Sequence, residues 1–143
     1  MRTALDTSVI VSSLLKWHEA HSRAAAAVAR ARKDEPRLVI PVTALVQALS
    51  VMTRMPTGYR VPAAEALLRL RSEFGAVADL VAHEGNAAWK FLDRAVANGV
   101  SGGGIHDADI LACAERAGAT RLLTLNPADF ERLGPTKVEI VVP

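Results

Sequence analysis

Leu5-Asp6-Thr7-Ser8-Val9-Ile10-Val11 decides how the rest of the chain is read. A carboxylate stands directly behind a short apolar run (Ala4, Leu5), with two hydroxyl residues and a second apolar run following, which reads as an acid at the C-terminal end of a first strand. Open α/β sheets bind their ligands there, in the crevice beyond the strand carboxyl ends. On local grounds the same letters also fit a helix N-cap, because Asp and Ser side chains accept from the free amides of a first turn. What raises the first reading is the company of other acids further along.

Outward from this stretch, strands alternate with helices. Val9 to Leu15 continues as a first helix ended by Trp17 and His18, and an Ala-rich helix runs from Glu19 to Lys33. Arg30, Arg32 and Lys33 gather at its C-terminal end, where the macrodipole favours cations. Arg37 to Ile40 is a β-branched run closed by Pro41, hence a second strand. Val42 to Met55 follows as a helix that Met55-Pro56-Thr57-Gly58 terminates, and Pro62 opens another through Phe74. Val77 to Ala82 is a third strand, and Glu84 to Asn98 a helix with Ala88, Phe91, Leu92 and Ala95 spaced for burial. The glycine-rich stretch 98–104 reads as a flexible loop leading to Ile105-His106-Asp107 and a helix from Ala108 to Ala117, ended by Gly118. Arg121 to Leu125 is a fourth strand, Asn126 to Phe130 a turn into a short helix, and Val138 to Val142 a last strand. The alternation predicts one α/β domain over residues 1–143, three layers deep, with a central and mostly parallel sheet.

A chain of 143 residues is long enough to bury a core without staples. Half its residues are hydrophobic, yet no apolar run approaches the roughly 20 residues of a membrane span, and Met1-Arg2-Thr3-Ala4 lacks signal-peptide architecture. A soluble, cytoplasmic protein is expected. The one cysteine, Cys113, has no partner for an internal disulfide and reads as a small buried hydrophobe in its Ala-rich helix. The net charge of +2 hides an asymmetry, +6 over residues 1–72 against −4 over residues 73–143. That suits a protein gripping a polyanion with one surface and a cation with another, although solvated helix faces give the same count.

Polar groups stand at strand ends or helix starts in four places: Asp6, Gln47, Asp107 with Asp109, and Asn126 to Asp129. Carboxylates far apart in sequence that converge at one sheet edge form an oxygen-only pocket of the kind Mg²⁺ or Mn²⁺ accepts. Such a cation lowers the pKa of a bound water, orients a scissile phosphate and neutralises charge in the transition state, so phosphodiester cleavage is the chemistry implied. Each residue also has a plainer role. Asp107 fits the N-cap of the helix from Ala108, Asp109 favours the dipole in its first turn, and Asp129 fits a cap near Phe130. His18, His21, His83 and His106 show no HxxxH or HExxH spacing, which argues against zinc chemistry. Gly102-Gly103-Gly104 lacks the Lys-Ser/Thr of a P-loop and gives the backbone freedom to present Asp107.

Taken together, Leu5-Asp6-Thr7-Ser8-Val9-Ile10, the stretch from Ala44 to Pro56, His106-Asp107-Ala108 with Ile110, and Leu122-Leu123-Thr124-Leu125-Asn126-Pro127-Ala128-Asp129-Phe130 resemble the PIN-domain family, and within it the VapC-type ribonuclease toxins. The pieces fall in the family's order and span nearly the whole chain. The resemblance implies a PIN-like fold, a divalent metal (Mg²⁺, or Mn²⁺), cleavage of RNA and restraint by a cognate VapB-type antitoxin, commonly in a homodimer. It makes Asp6 and Asp107 the metal ligands, places Gln47 and Asp129 in the outer acid ring, and gives Thr7, Ser8 and Thr124 ordering roles. Arg54, Arg60, Arg69 and Arg71 are candidates for gripping the RNA backbone. The same Ala-, Leu- and Met-rich region offers a groove for an antitoxin helix.

Two positions depart from the family pattern. Asn126 stands where many members have Asp, with Asp129 close by, and Gln47 stands where Glu is usual. An amide keeps the size and one acceptor oxygen of Glu but loses the charge, so it attracts a cation less and takes no proton from water. Gln47 is then an introduced Glu→Gln change, or a natural one compensated by Asp109 or Asp129, or the mark of a PIN-like module that binds RNA or protein without cutting. A phosphatase-like hydrolase with Asp6 as nucleophile is a weaker rival, since no suitably placed Lys and second Asp accompany it.

Overall fold

The computed structural model describes residues 1–143 as strands β1 (Thr3–Leu5), β2 (Leu38–Pro41), β3 (Ala78–Val81), β4 (Arg121–Leu123) and β5 (Glu139–Val141). Between and around them run helices α1 (Thr7–Leu14), α2 (His21–Asp34), α3 (Val42–Thr53), α4 (Ala63–Phe74), α5 (Asn86–Ala97), α6 (Gly104–Arg116) and α7 (Pro127–Glu131). The five strands form one sheet in the order β3-β2-β1-β4-β5, every pair parallel. The expected mostly parallel sheet is therefore wholly parallel. No helix is long and apolar enough to cross a membrane.

Parallel strands need crossovers, and right-handed crossovers place the helices. From β1 the chain steps to β2 and β3 in one direction, then returns past β1 to β4 and β5. The reversal assigns α1–α4 to one face and α5–α7 to the other. Packing agrees, with α1 against α2 and α3, α3 against α4, and on the other side α5 and α7 against α6. Sandwiched between, β1 and β2 are buried on both faces, so Thr3-Ala4-Leu5 and Leu38-Val39-Ile40 read as continuous rather than alternating apolar runs. Ile10, Met52, Ile110 and Phe130 anchor α1, α3, α6 and α7 into the core at under 2 % exposure.

Register then decides what stands beyond the sheet. Leu5 pairs with Leu123, so Asp6 and Thr124 are the next residues on adjacent strands, and the Asp6 amide donates to the Leu123 carbonyl at 3.0 Å. At the opposite, amino end, buried Glu35 accepts from the Thr3 amide at 2.6 Å and from the Thr3 hydroxyl, with Arg121 Nη2 at 3.4 Å. Arg121 Nε in turn donates to Thr3 Oγ1 at 2.6 Å, which closes that network.

Boundaries differ from expectation in two informative places. Helix α1 ends at Leu14, before Trp17 and His18, which lie in the turn that follows. Helix α6 begins at Gly104, four residues before Ala108: Gly102 turns the chain at φ +58°, and the amides of Ile105 and His106 already donate to the carbonyls of Gly102 and Gly103. Glycine's poor helix propensity is a weak prior that packing overrides. Asp107 therefore lies inside the first turn and is not the N-cap; likewise Asp129 lies within α7, whose N-cap is Asn126.

Candidate active site

Strand β1 passes into α1 with only Asp6 between them, so one residue meets both demands raised by the sequence. Asp6 has extended backbone (φ −81°, ψ 159°) and caps α1, its Oδ1 accepting from the Thr7 amide at 2.7 Å. Its Oδ2 accepts from Ser8 Oγ at 2.9 Å and Thr124 Oγ1 at 2.7 Å. Those hydroxyls are held in turn: Ser8 Oγ accepts from the Leu125 amide and Thr124 Oγ1 from the Asn126 amide, each at 2.9 Å. A carboxylate oxygen has about two lone-pair sites, so Oδ2 is saturated while Oδ1 keeps one free.

The expected convergence is present. Asp6, Ser8, Gln47, Asp107, Asn126 and Asp129 line one cleft of about 460 Å³ beyond the carboxyl ends of the strands, with Thr124 buried beneath. Gln47 projects from α3, and its Oε1 accepts from Thr7 Oγ1 at 2.8 Å. Asp107 is partly enclosed, and burial together with the charges of Asp129 and Asp6 pushes its carboxyl up to about 6. Arg132 offsets this weakly, at 3.8 Å from Asp107 and 3.4 Å from Asp129.

That raised pKa is a test of fit for a cation. Burial is the larger cause, and the part that comes from the charges of Asp129 and Asp6 is what a positive ion among them would relieve. Asp6, Asp107 and Asp129 offer carboxylate oxygens and Gln47 and Asn126 amide oxygens, a set that suits a hard ion such as Mg²⁺ or Mn²⁺.

Other candidates are sorted by the fold. Arg60 and Arg69 line a second groove with Lys16, Trp17 and Tyr59, whose two rings lie 4.8 Å apart. Arg71 lies elsewhere, in an apolar groove of about 320 Å³ made by Leu45, Val46, Leu49, Leu67 and Phe74. Arg54 caps the end of α3, exposed, and lines neither cleft. The four arginines thus do not form one patch. Asp109 is turned away from Asp107 and bonds His83 at 2.7 Å and Thr43 instead, so it supplies no charge to the acidic cleft. His18, which no spacing rule marked, lines that cleft; its Nδ1 accepts from the Ala20 amide at 3.0 Å, which leaves Nε2 as the proton-bearing nitrogen of the neutral ring.

Comparison with known proteins agrees with this geometry. A PIN domain family model matches residues 3–134. Ribonuclease VapC40 of Mycobacterium tuberculosis is 31% identical over 140 residues, 96% of either chain. Among solved structures, the sarcin-ricin loop cleaving toxin VapC20 of M. tuberculosis superposes with a TM-score of 0.72 at 14% identity, over 96% of this chain and 98% of that one. DNA-bound VapBC from Salmonella typhimurium gives 0.67 at 17%, over 99% and 98%. An acid-lined cleft at the carboxyl edge of a β3-β2-β1-β4-β5 sheet, with near full-length similarity in sequence, means that the chain belongs to the PIN-domain family, on its VapC ribonuclease branch.

Proposed function

We propose that this chain is a metal-dependent endoribonuclease toxin whose catalytic residues are Asp6, Gln47, Asp107 and Asp129. The observation that carries the reading is the meeting of Asp6 and Asp107, far apart in sequence, at one oxygen-lined cleft. Asp6 and Asp107 would hold Mg²⁺ or Mn²⁺, with Gln47 and Asp129 lining the same cleft. When bound, the cation activates water and offsets charge on the scissile phosphate. Ser8, Thr124 and Asn126 fix the Asp6 carboxylate so that no reorganisation is needed as charge develops. Gln47 supplies an oxygen without charge, which weakens cation binding and slows cleavage; Asp129, rather than Asp109, carries the compensating charge.

RNA enters from the groove beside the cleft. Lys16, Arg60 and Arg69 meet phosphates there, and the Trp17 and Tyr59 rings accept unstacked bases, each stack contributing about 1–3 kcal/mol. The apolar groove between α3 and α4 suits an amphipathic helix, and the VapBC assembly from S. typhimurium is the precedent for a VapB-type antitoxin as the partner. Trp89, Leu92 and Val96, spaced along one face of α5 and exposed, form the homodimer surface.

The test is RNA cleavage with Mg²⁺ or Mn²⁺ by this chain, by Gln47→Glu and by Asp6→Ala. Cleavage that rises with Glu and vanishes with Ala upholds the reading. Gln47 also favours a second one, a PIN module that binds RNA without cutting; RNA retention with no cleavage by any of the three would establish that instead.

A further inference from the structure

A second group of ligand-type side chains lies off the acidic cleft, where three elements meet. His83 follows β3, Asp109 and Cys113 stand one turn apart on α6, and Thr43 is the second residue of α3. Cys113 Sγ is 3.5 Å from His83 Nδ1 and 3.6 Å from Asp109 Oδ1, and those two atoms are 2.7 Å apart. The hydroxyl of Thr43 donates to the other Asp109 oxygen. The His83 ring stacks on Phe91 with centroids 4.7 Å apart, and its side chain is only 7 % exposed. Cys113 is fully buried, while Asp109 keeps a path to solvent at 22 %. Residues 107 and 109 project to opposite sides of a helix, which separates this group from the cleft.

We propose that His83, Asp109 and Cys113 form a zinc site independent of the acidic cleft. Tetrahedral zinc with Zn–S of about 2.3 Å and Zn–N or Zn–O of about 2.0–2.1 Å requires ligand separations of roughly 3.5 Å for S to N or O and roughly 3.3 Å for N to O. Both sulfur distances already meet this. The third opens by about 0.6 Å when the His83–Asp109 hydrogen bond gives way to two bonds to the ion. The donor set argues the same way: thiolate with imidazole and one carboxylate suits a borderline-soft ion, whereas Mg²⁺ and Ca²⁺ take oxygens. Thr43 acts as the outer partner that orients a ligating carboxylate. Water through the open side of Asp109 completes the fourth position.

Binding balances in protons. Burial beside Asp109 holds the Cys113 thiol up at about 12, so it keeps its proton in the metal-free protein and releases it to solvent only as the Zn–S bond forms. The carboxylate only accepts, so His83 donates from Nδ1 in the metal-free protein, and that proton moves to Nε2 when Nδ1 takes the ion. The bound ion ties the exit of β3 to α6, two residues from Asp107.

The test is titration of the metal-stripped protein with Zn²⁺ and with Co²⁺ as a spectroscopic stand-in. One Zn²⁺ per chain retained through gel filtration, a raised Tm, and a thiolate-to-cobalt charge-transfer band are expected. The band disappears in Cys113→Ala and weakens in Asp109→Asn, a shape-conserving variant, with folding checked by circular dichroism. It persists in Asp6→Ala, so a failure of the nuclease reading leaves this one standing. Absence of retained Zn²⁺, cobalt binding without that band, or a band that survives in Cys113→Ala would overturn it.

Discussion

Replacing Asp107 by Asn makes the metal-free protein more stable near neutral pH while abolishing cleavage. The magnitude follows from the carboxyl's pKa, raised from 3.8 to about 6 by burial and by the charges of Asp129 and Asp6. A difference of that size corresponds to a ceiling of about 3 kcal/mol. With a quarter of the side chain open to water, solvent screening leaves about 1–1.5 kcal/mol. The folded protein holds this proton more tightly than the unfolded chain does. The stabilising effect of protonation is therefore full below about pH 4 and is lost as pH rises through about 6. Asn is neutral throughout, so variant and wild type differ near neutrality and converge at about pH 4. Urea unfolding in EDTA measures this directly: with a slope of about 2 kcal/mol per molar, the midpoint rises by about 0.5 M at neutral pH. Equal midpoints at neutral pH, or the same gain at both pH values, would refute the claim that burial, aided by the charges of Asp129 and Asp6, penalises the ionised Asp107 carboxylate.

Gln47→Glu restores the missing charge and raises cleavage with Mg²⁺ or Mn²⁺ on the order of tenfold, equivalent to about 1.4 kcal/mol, read with a fluorogenic RNA; an unchanged rate counts against a direct role for the position. Thr124→Val removes a donor to Asp6 and strands the Asn126 amide, so unfolding free energy falls by about 2–4 kcal/mol and activity is lost, while Thr124→Ser stays near wild type in both. Glu35→Ala leaves Thr3 and Arg121 without their shared acceptor and lowers stability by about 2–4 kcal/mol in urea melts, with cleavage by the folded fraction unchanged because the network sits at the far end of the sheet. Trp17→Ala weakens binding of single-stranded RNA by about 1–3 kcal/mol in fluorescence anisotropy without altering cation affinity.

Much of the architecture was legible because β1 and β2 advertise burial on both faces as unbroken apolar runs, and because Pro36, Pro56 and Gly118 stop helices for local steric reasons. The acids of the cleft were legible for a related reason: Asp6, Asp107 and Asp129 each stand where an element begins or ends. What escaped depends on contacts no spacing rule encodes. Three consecutive glycines read as a loop, yet Gly104 starts α6 once its turn packs. Asp109 and Cys113 are a helical i,i+4 pair, and that much could have been read; His83 joins them only because β3 ends beside α6. The candidate arginines do not form one patch, because Arg69 and Arg71 project from different faces of α4 and Arg54 lies at the end of α3.

Strand order also sets a timetable for synthesis. Asp6 is made early, but β4, which flanks β1 and brings Thr124, is made after residue 120, and Asp129 later still. A nascent chain emerging among the RNAs of a translating ribosome therefore holds its first acid without the partners that orient it. On the proposed assignment, hydrolytic competence therefore waits until β4 and α7 have been made and have packed against β1 and α6.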